Sequence, residues 1–480
     1  VDKTNFDELN DSFSDLEIDA VIDSIIEETF EEKTNRIINN EEEDKRVRIS
    51  EGNHCINRIN EKCINCGQCR KTCENIVNIS YDLNKCKEPI CIGCGQCILN
   101  CPTGALVPKY EYREVKNIID LNEKIVVALI SPAVRVSIGE MFEMESGENC
   151  EKKLVSALKK LGFDYVFDTA FGADLTILEE VAEFAERLKN KDRLPQFTSC
   201  CPAWVKFFEH QFPDMKELPS TAKSPQQMFG AIAKSYWADK MGIKREDLVV
   251  VSIMPCLAKK YECKREEFSV NGNPDVDYVL STRELARLIK QFNLDLKEVE
   301  AQEFDDPLGE STGAAVIFGA TGGVIEAATR TAYEVFTGKK LEKIDFTELR
   351  GLEGIRDAWV DFNGTPIHIG IAHGLKNART LLEKVREGKE QFHAIEVMAC
   401  PGGCIGGAGQ PYHHGNSKII KKRFDAIYEE DRNKPIRKSH ENPSIIKLYK
   451  EFLGEPCGHK SHELLHTHYF DKSDHVEIGE

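Results

Sequence analysis

A chain of 480 residues is long enough for two or three domains with a sizeable core. Lysine and arginine number 63 against 81 acidic residues, a formal charge of −18, which excludes a nucleic-acid binder built on a broad basic face but leaves room for a local docking patch. Eighteen cysteines with no secretory leader in view point to metal thiolates in a reducing, cytoplasmic setting rather than to disulfides, and the longest apolar runs, 125–130 and 249–254, are too short to cross a bilayer.

Residues 1–50 read as an acidic arm. Leu16, Ile18, Val21, Ile22, Ile25, Ile26 and Phe30 recur at helical spacing, so an amphipathic helix is expected over 15–31, packed on the body or docking a partner, before a charged linker at 39–48. The next expected domain covers 51–115 and carries C-x2-C-x2-C-x3-C twice, as Cys63, Cys66, Cys69, Cys73 and as Cys91, Cys94, Cys97, Cys101. That doubled run is the bacterial two-cluster ferredoxin pattern, in which the fourth cysteine of each copy crosses to the other cluster. One 4Fe–4S cluster then takes Cys63, Cys66, Cys69 and Cys101, and the other takes Cys73, Cys91, Cys94 and Cys97. Paired zinc sites are the alternative, but interleaved cubes account for all eight positions. A small α+β ferredoxin-like domain that conducts electrons is expected here. Glu74 stands where the second copy has Pro102, while Cys55 and Cys86 fall outside the spacing and read as buried or spare thiols. Arg70, Lys71, Lys85 and Lys87 lie close enough to the run to steer an acidic carrier.

The texture changes in the last expected domain, 116–480. Strand-like runs at 124–130, 165–168, 194–197, 249–254, 368–372 and 394–398 alternate with helical ones at 172–188, 203–211, 224–241, 283–291 and 322–336. The alternation predicts an α/β catalytic domain with mostly parallel sheets and helices on the faces. Three cysteine motifs follow strand-like runs: Thr198-Ser199-Cys200-Cys201-Pro202, Met254-Pro255-Cys256-Leu257-Ala258-Lys259 and Met398-Ala399-Cys400-Pro401-Gly402-Gly403-Cys404. They therefore lie beyond the carboxyl ends of strands, where open α/β sheets hold ligands, and Ser131-Pro132 and the 168–174 segment are expected to line the same pocket. Four thiolates from distant segments are what a 4Fe–4S cube requires, and the flanking Gly and Pro thin the side chains around a bulky ligand. The motifs hold five cysteines, so one is spare. Glu180, Glu183 and Arg187 share one helix face, which pattern alone reads as solvated. The Gly-rich 319–323 stretch carries neither a Walker lysine nor G-x-G-x-x-G, so a nucleotide site is not expected, and no further cysteine set exists for a 2Fe–2S domain.

Together these motifs resemble the signature of the FeFe hydrogenases, over roughly 63–469 and including 171–176, 220–227, 318–324 and the tail His462-Glu463-Leu464-Leu465-His466-Thr467-His468-Tyr469. The resemblance implies reversible oxidation of H2 at an H-cluster: a cube on Cys201, Cys256, Cys400 and Cys404, joined through Cys404 to a two-iron unit with carbon monoxide, cyanide and a bridging dithiolate amine. It makes Cys200 the proton donor at that unit, with a relay through Glu180, Ser220 and Glu183 and with Arg187 near its mouth. Lys259 is implied as donor to a cyanide, while Ser131, Pro132, Met254, Met398 and Gln226 line the two-iron unit. Implied partners are ferredoxin or a similar small carrier, maturation proteins, H2 and protons, with no nucleic acid and no membrane. A non-catalytic iron–sulfur assembly protein, a hydrogen sensor of the same fold, or a subunit of a larger NAD-linked complex are the competing readings; Cys404, Cys200, Lys259 and the relay carboxylates favour the enzyme. Two departures stand out. Ala408 occupies a position that is usually glycine and would be strained if the backbone there were left-handed, and Ser131 replaces the commoner alanine.

Overall fold

The doubled cysteine run folds as two matching loops in the computed structural model, which describes residues 44–79 and 90–473. The helix expected over 15–31, Cys86, Lys85 and Lys87 lie outside those residues. Strands β1 (Ile56–Arg58) and β2 (Leu106–Pro108) close an antiparallel ribbon, and between them sit two short helices, α1 (Gln68–Thr72) and α2 (Gln96–Leu99). Each helix starts after a glycine at φ 73°, Gly67 in the first copy and Gly95 in the second. Only glycine takes that left-handed turn without strain, so the repeat in sequence becomes a repeat in backbone. The copies diverge where Glu74 replaces Pro102: Glu74 continues into a π-helical turn, Cys73–Val77, which a proline lacking its N–H would interrupt.

The larger region holds two four-stranded sheets. Strands β3 (Ile125–Ile130), β4 (Tyr165–Asp168), β5 (Gln196–Phe197), β6 (Leu248–Met254), β7 (Tyr278–Ser281), β8 (Ile355–Phe362), β9 (Thr365–His373) and β10 (Ala394–Met398) alternate with helices. The helices that matter for the site are α3 (Thr169–Asn190), α4 (Pro202–Gln211), α5 (Pro225–Ile232), α6 (Ala258–Glu262), α7 (Gly323–Thr337) and, in the tail, α8 (His459–Leu465). One sheet runs β4-β3-β6-β7, all parallel; the other runs β8-β9-β10-β5, parallel except for the β8–β9 pair. β3 and β6 are continuous apolar runs because helices cover both of their faces. This is the expected α/β architecture with mostly parallel sheets. β7 and the edge strand β8 are additions to the elements read from sequence.

The cysteine-rich module docks on the larger region through its second copy. Gln96 Nε2 donates to the Gly406 carbonyl at 3.0 Å, and a Cβ on Gly95 would lie 2.8 Å from the Ala408 methyl. Ala408 does not take a left-handed backbone; it is fully buried and packs with Leu257, Cys97 and Ile98, so alanine fills this interface without strain. Among the described residues no helix is long and apolar enough to cross a membrane.

Candidate active site

Strand ends from both sheets converge on one cavity. Ser131 and Pro132 follow β3, Thr169 opens α3 after β4, and Met254 and Cys256 lie at the end of β6; Cys200 and Cys201 follow β5, and Met398 and Cys404 come from the end of β10 and beyond. Gln226 and Lys259 also line the cavity. Cys400 is buried behind the wall, within electrostatic reach of Cys256, Cys201, Cys94 and Cys404. Glycine permits this convergence. A Cβ on Gly407 would sit 2.3 Å from the Pro255 carbonyl oxygen, so only glycine lets the Cys404 loop close on the Cys256 loop.

Burial pushes the thiols of Cys201, Cys256, Cys400 and Cys404 up, that of Cys256 to about 12, with neighbouring cysteines adding to the rise at Cys256, Cys400 and Cys404. Four thiols gathered in a dry space cannot all ionise unless a cationic centre binds them, which is the chemistry of an iron–sulfur cube. Lys259 is buried, and its ammonium donates to Glu262 Oε2 at 2.8 Å and to the Cys200 carbonyl at 3.1 Å. Burial works against that charge, but Glu262 outweighs it and holds the lysine pKa above its ordinary value. Gln226 Nε2 also donates to Glu262, at 3.1 Å, while its Oε1 is buried without a partner. Glu262, which organises both residues and accepts from Ser224 Oγ at 2.9 Å, escaped sequence reasoning; its only signal is the i+3 spacing from Lys259.

The carboxylates on α3 are buried, not solvated. Burial first, and then the charge of Glu183, push the Glu180 carboxyl up to about 8, and its Oε1 has no partner. Glu180 is within electrostatic reach of the buried Cys200 thiol. Ser220 Oγ donates to Glu183 Oε2 at 2.7 Å, and Arg187 Nη2 donates to Glu183 Oε1 at 2.6 Å. The Arg187 side chain is 0 % exposed and its Nη1 and Nη2 also donate to the carbonyls of Leu218, Pro219 and Arg193, so it fixes Glu183 from within. Ser199, given no role from sequence, lies against Glu180 and donates its hydroxyl to the Ala222 carbonyl at 2.7 Å. Tyr469, in the tail, donates to the Ser220 carbonyl.

The module extends the series of sulfurs outward. Cys63, Cys66, Cys69 and Cys101 line one cavity of about 340 Å³ near the surface, with Cys66 exposed. Cys94 and Cys97 are buried, with Cys73 and Cys91 close by; Cys97 reaches toward Cys69, and Cys94 toward Cys256. Cys55 is buried beneath this loop, where a Cβ on Gly93 would meet its sulfur at 2.6 Å.

Residues 124–408 match the family model of the iron-only hydrogenase large subunit, C-terminal domain, and residues 417–472 match that of the iron hydrogenase small subunit. The chain belongs to the iron-only hydrogenase family. It is 55% identical over 439 residues to NADP-reducing hydrogenase subunit HndD of Solidesulfovibrio fructosivorans, covering 87% of this chain and 75% of the relative. Iron hydrogenase 1 of Clostridium pasteurianum is 38% identical, with 89% of this chain and 78% of that protein covered. Among solved structures, [FeFe]-hydrogenase HydA(deltaEFG) superposes with a TM-score of 0.68 at 40% identity, over 75% of this chain and 99% of that one. The chain is thus an oxidoreductase whose cofactors are the family's H-cluster and accessory iron–sulfur clusters, and the donor set and dry cavity described above suit such groups.

Proposed function

We propose that this chain interconverts H2 with protons and electrons at the cavity between the two sheets, with 51–115 acting as the electron-conducting domain and 116–480 as the catalytic one. The observation that carries the reading is the junction, in one buried space, of Cys201, Cys256 and Cys404 from both sheets with Cys200, which leads away toward buried Glu180. Cys201, Cys256, Cys400 and Cys404 would hold the cube, with Cys404 the residue it would share with the two-iron unit, and the two module sets would hold the accessory clusters. When bound, these groups supply the redox chemistry and electron storage.

The chain's own residues move the protons. Cys200 holds a proton at the cavity wall. Glu180, kept neutral near pH 7 by burial, exchanges it, and Ser220 and Glu183 carry it outward while Arg187 fixes the geometry. Lys259 offers a charged donor to an anionic ligand, and Ser131, Pro132, Met254, Met398 and Gln226 shape the wall. Electrons pass to ferredoxin or a similar small carrier that docks near Arg70 and Lys71, in the cytoplasm. The 55% identity to an NADP-reducing hydrogenase subunit favours a second partner, a separate NADP-reducing subunit.

Infrared spectroscopy of protein matured with the hydrogenase assembly machinery, paired with a hydrogen-evolution assay, tests the reading. Carbon monoxide and cyanide bands with H2 production are expected. Fully matured protein without those bands would instead be a non-catalytic iron–sulfur protein.

A further inference from the structure

The tail carries a donor cluster that the hydrogen chemistry leaves unused. His462 on α8 and His466 at its C-terminal cap stand at i and i+4, in the run His462-Glu463-Leu464-Leu465-His466, the spacing with which helical histidines hold zinc. One ring nitrogen from each and the Cys457 sulfur all lie within 4.8 Å of one another. Cys457 is aimed at the pair by a left-handed backbone, φ 56°, a conformation that a residue with a side chain adopts only where its surroundings require it. Glu179 lies alongside the cluster, its Oε1 accepting from the Tyr449 hydroxyl. Its Oε2 lies 3.0 Å from His466 Nε2 and accepts from the Cys457 N–H at 2.6 Å. The other ring nitrogen, Nδ1, meets the Thr221 hydroxyl at 2.7 Å, a second contact of the kind that fixes a metal-binding histidine. With that contact made, Nε2 and the Glu179 carboxylate face each other across a position that takes either a proton or a cation. Glu183 and Glu186 add negative charge around the thiol.

We propose that Cys457, His462 and His466 form a site for a zinc-type divalent cation, separate from the iron–sulfur cysteines. One thiolate and two imidazoles suit zinc, whereas calcium and magnesium select oxygen donors. The site's place gives it a purpose. Thr221 touches His466 through its hydroxyl and donates its N–H to Glu183 at 3.0 Å, so a cation here pins the tail to α3 directly behind the relay carboxylates.

The test uses protein loaded with all of its iron groups, treated with a mild chelator and then equilibrated with Zn²⁺ under anaerobic conditions. Zinc per chain is measured together with zinc-edge X-ray absorption. Wild type should hold one zinc, with a single sulfur at about 2.3 Å and nitrogen or oxygen neighbours at about 2.0–2.2 Å. His462→Ala, at an exposed position, and Cys457→Ser should each lose it while the infrared bands of the iron site stay unchanged. Equal zinc in wild type and His462→Ala, a shell of three or more sulfurs that places zinc at cluster cysteines, or no bound zinc at all would overturn the site.

Discussion

The cysteine-rich module and the α/β region hold their sulfurs in opposite ways. In the module, ligands come from two short loops around a three-residue ribbon, and four of the eight cysteines line a cavity near the surface. In the α/β region the sulfurs come from loops after strands of two sheets and sit inside an apolar core. The module has little core of its own, so its order leans on its clusters and on the Gly95 and Ala408 contact. The α/β region is stabilised by buried β-branched strands, so it is expected to fold without its metal.

The largest expected effect tests that independence. Cys404→Ala should remove the carbon monoxide and cyanide bands and reduce hydrogen evolution to background, with far-ultraviolet circular dichroism unchanged; loss of helical signal would show that the α/β fold depends on its metal after all. Next, Cys200→Ser should keep every infrared band yet slow turnover in both directions by roughly 10²–10⁴-fold, because a hydroxyl is too weak an acid to replace a positioned thiol. Glu180→Gln should share this defect. Cys200→Ser abolishing the cube would instead make Cys200 the ligand. Cys94→Ala should leave the infrared spectrum intact and slow exchange with a protein carrier several-fold more than exchange with a small dye.

A smaller effect separates the regions by pH. Between about pH 4.5 and 8 an unfolded chain has lost the Glu180 proton while the folded one keeps it, so stability falls as pH rises through that window. Below the window both states are protonated; above it both are ionised and the penalty is complete. Glu180→Gln should flatten the slope, by at most about 1.4 kcal/mol per pH unit, in denaturant titrations of cluster-loaded protein. An unchanged slope would mean that water reaches this carboxyl. Smallest of all, Ala408→Gly should cost about 1 kcal/mol and loosen the module first, as read by limited proteolysis between 46 and 108.

The module's two matching loops were legible from spacing alone, because three cysteines of each copy sit within seven residues and a glycine turn fixes their loop. The strand-like runs before Cys201, Cys256 and Cys400 were legible too, since buried parallel strands are written as mostly apolar residues, here interrupted only by Gln196, Ser252 and Glu396. β8 was not, because its outward face carries Asp357, Trp359 and Asp361, and Arg356 breaks the inward one, so the apolar signal is diluted. The carboxylates of α3 show why tertiary structure decides the rest. Helical periodicity puts Glu180 and Glu183 on one face but does not say what covers it, and a solvated face and a buried polar face share one pattern. Ser199 and Ser220, from segments that follow in sequence, and Tyr469, from the far end of the chain, close over that face and turn two glutamates of an ordinary helical pattern into buried groups. Glu262 became the anchor of Lys259 and Gln226 by the same kind of burial, which fixes a charge only where distant segments meet.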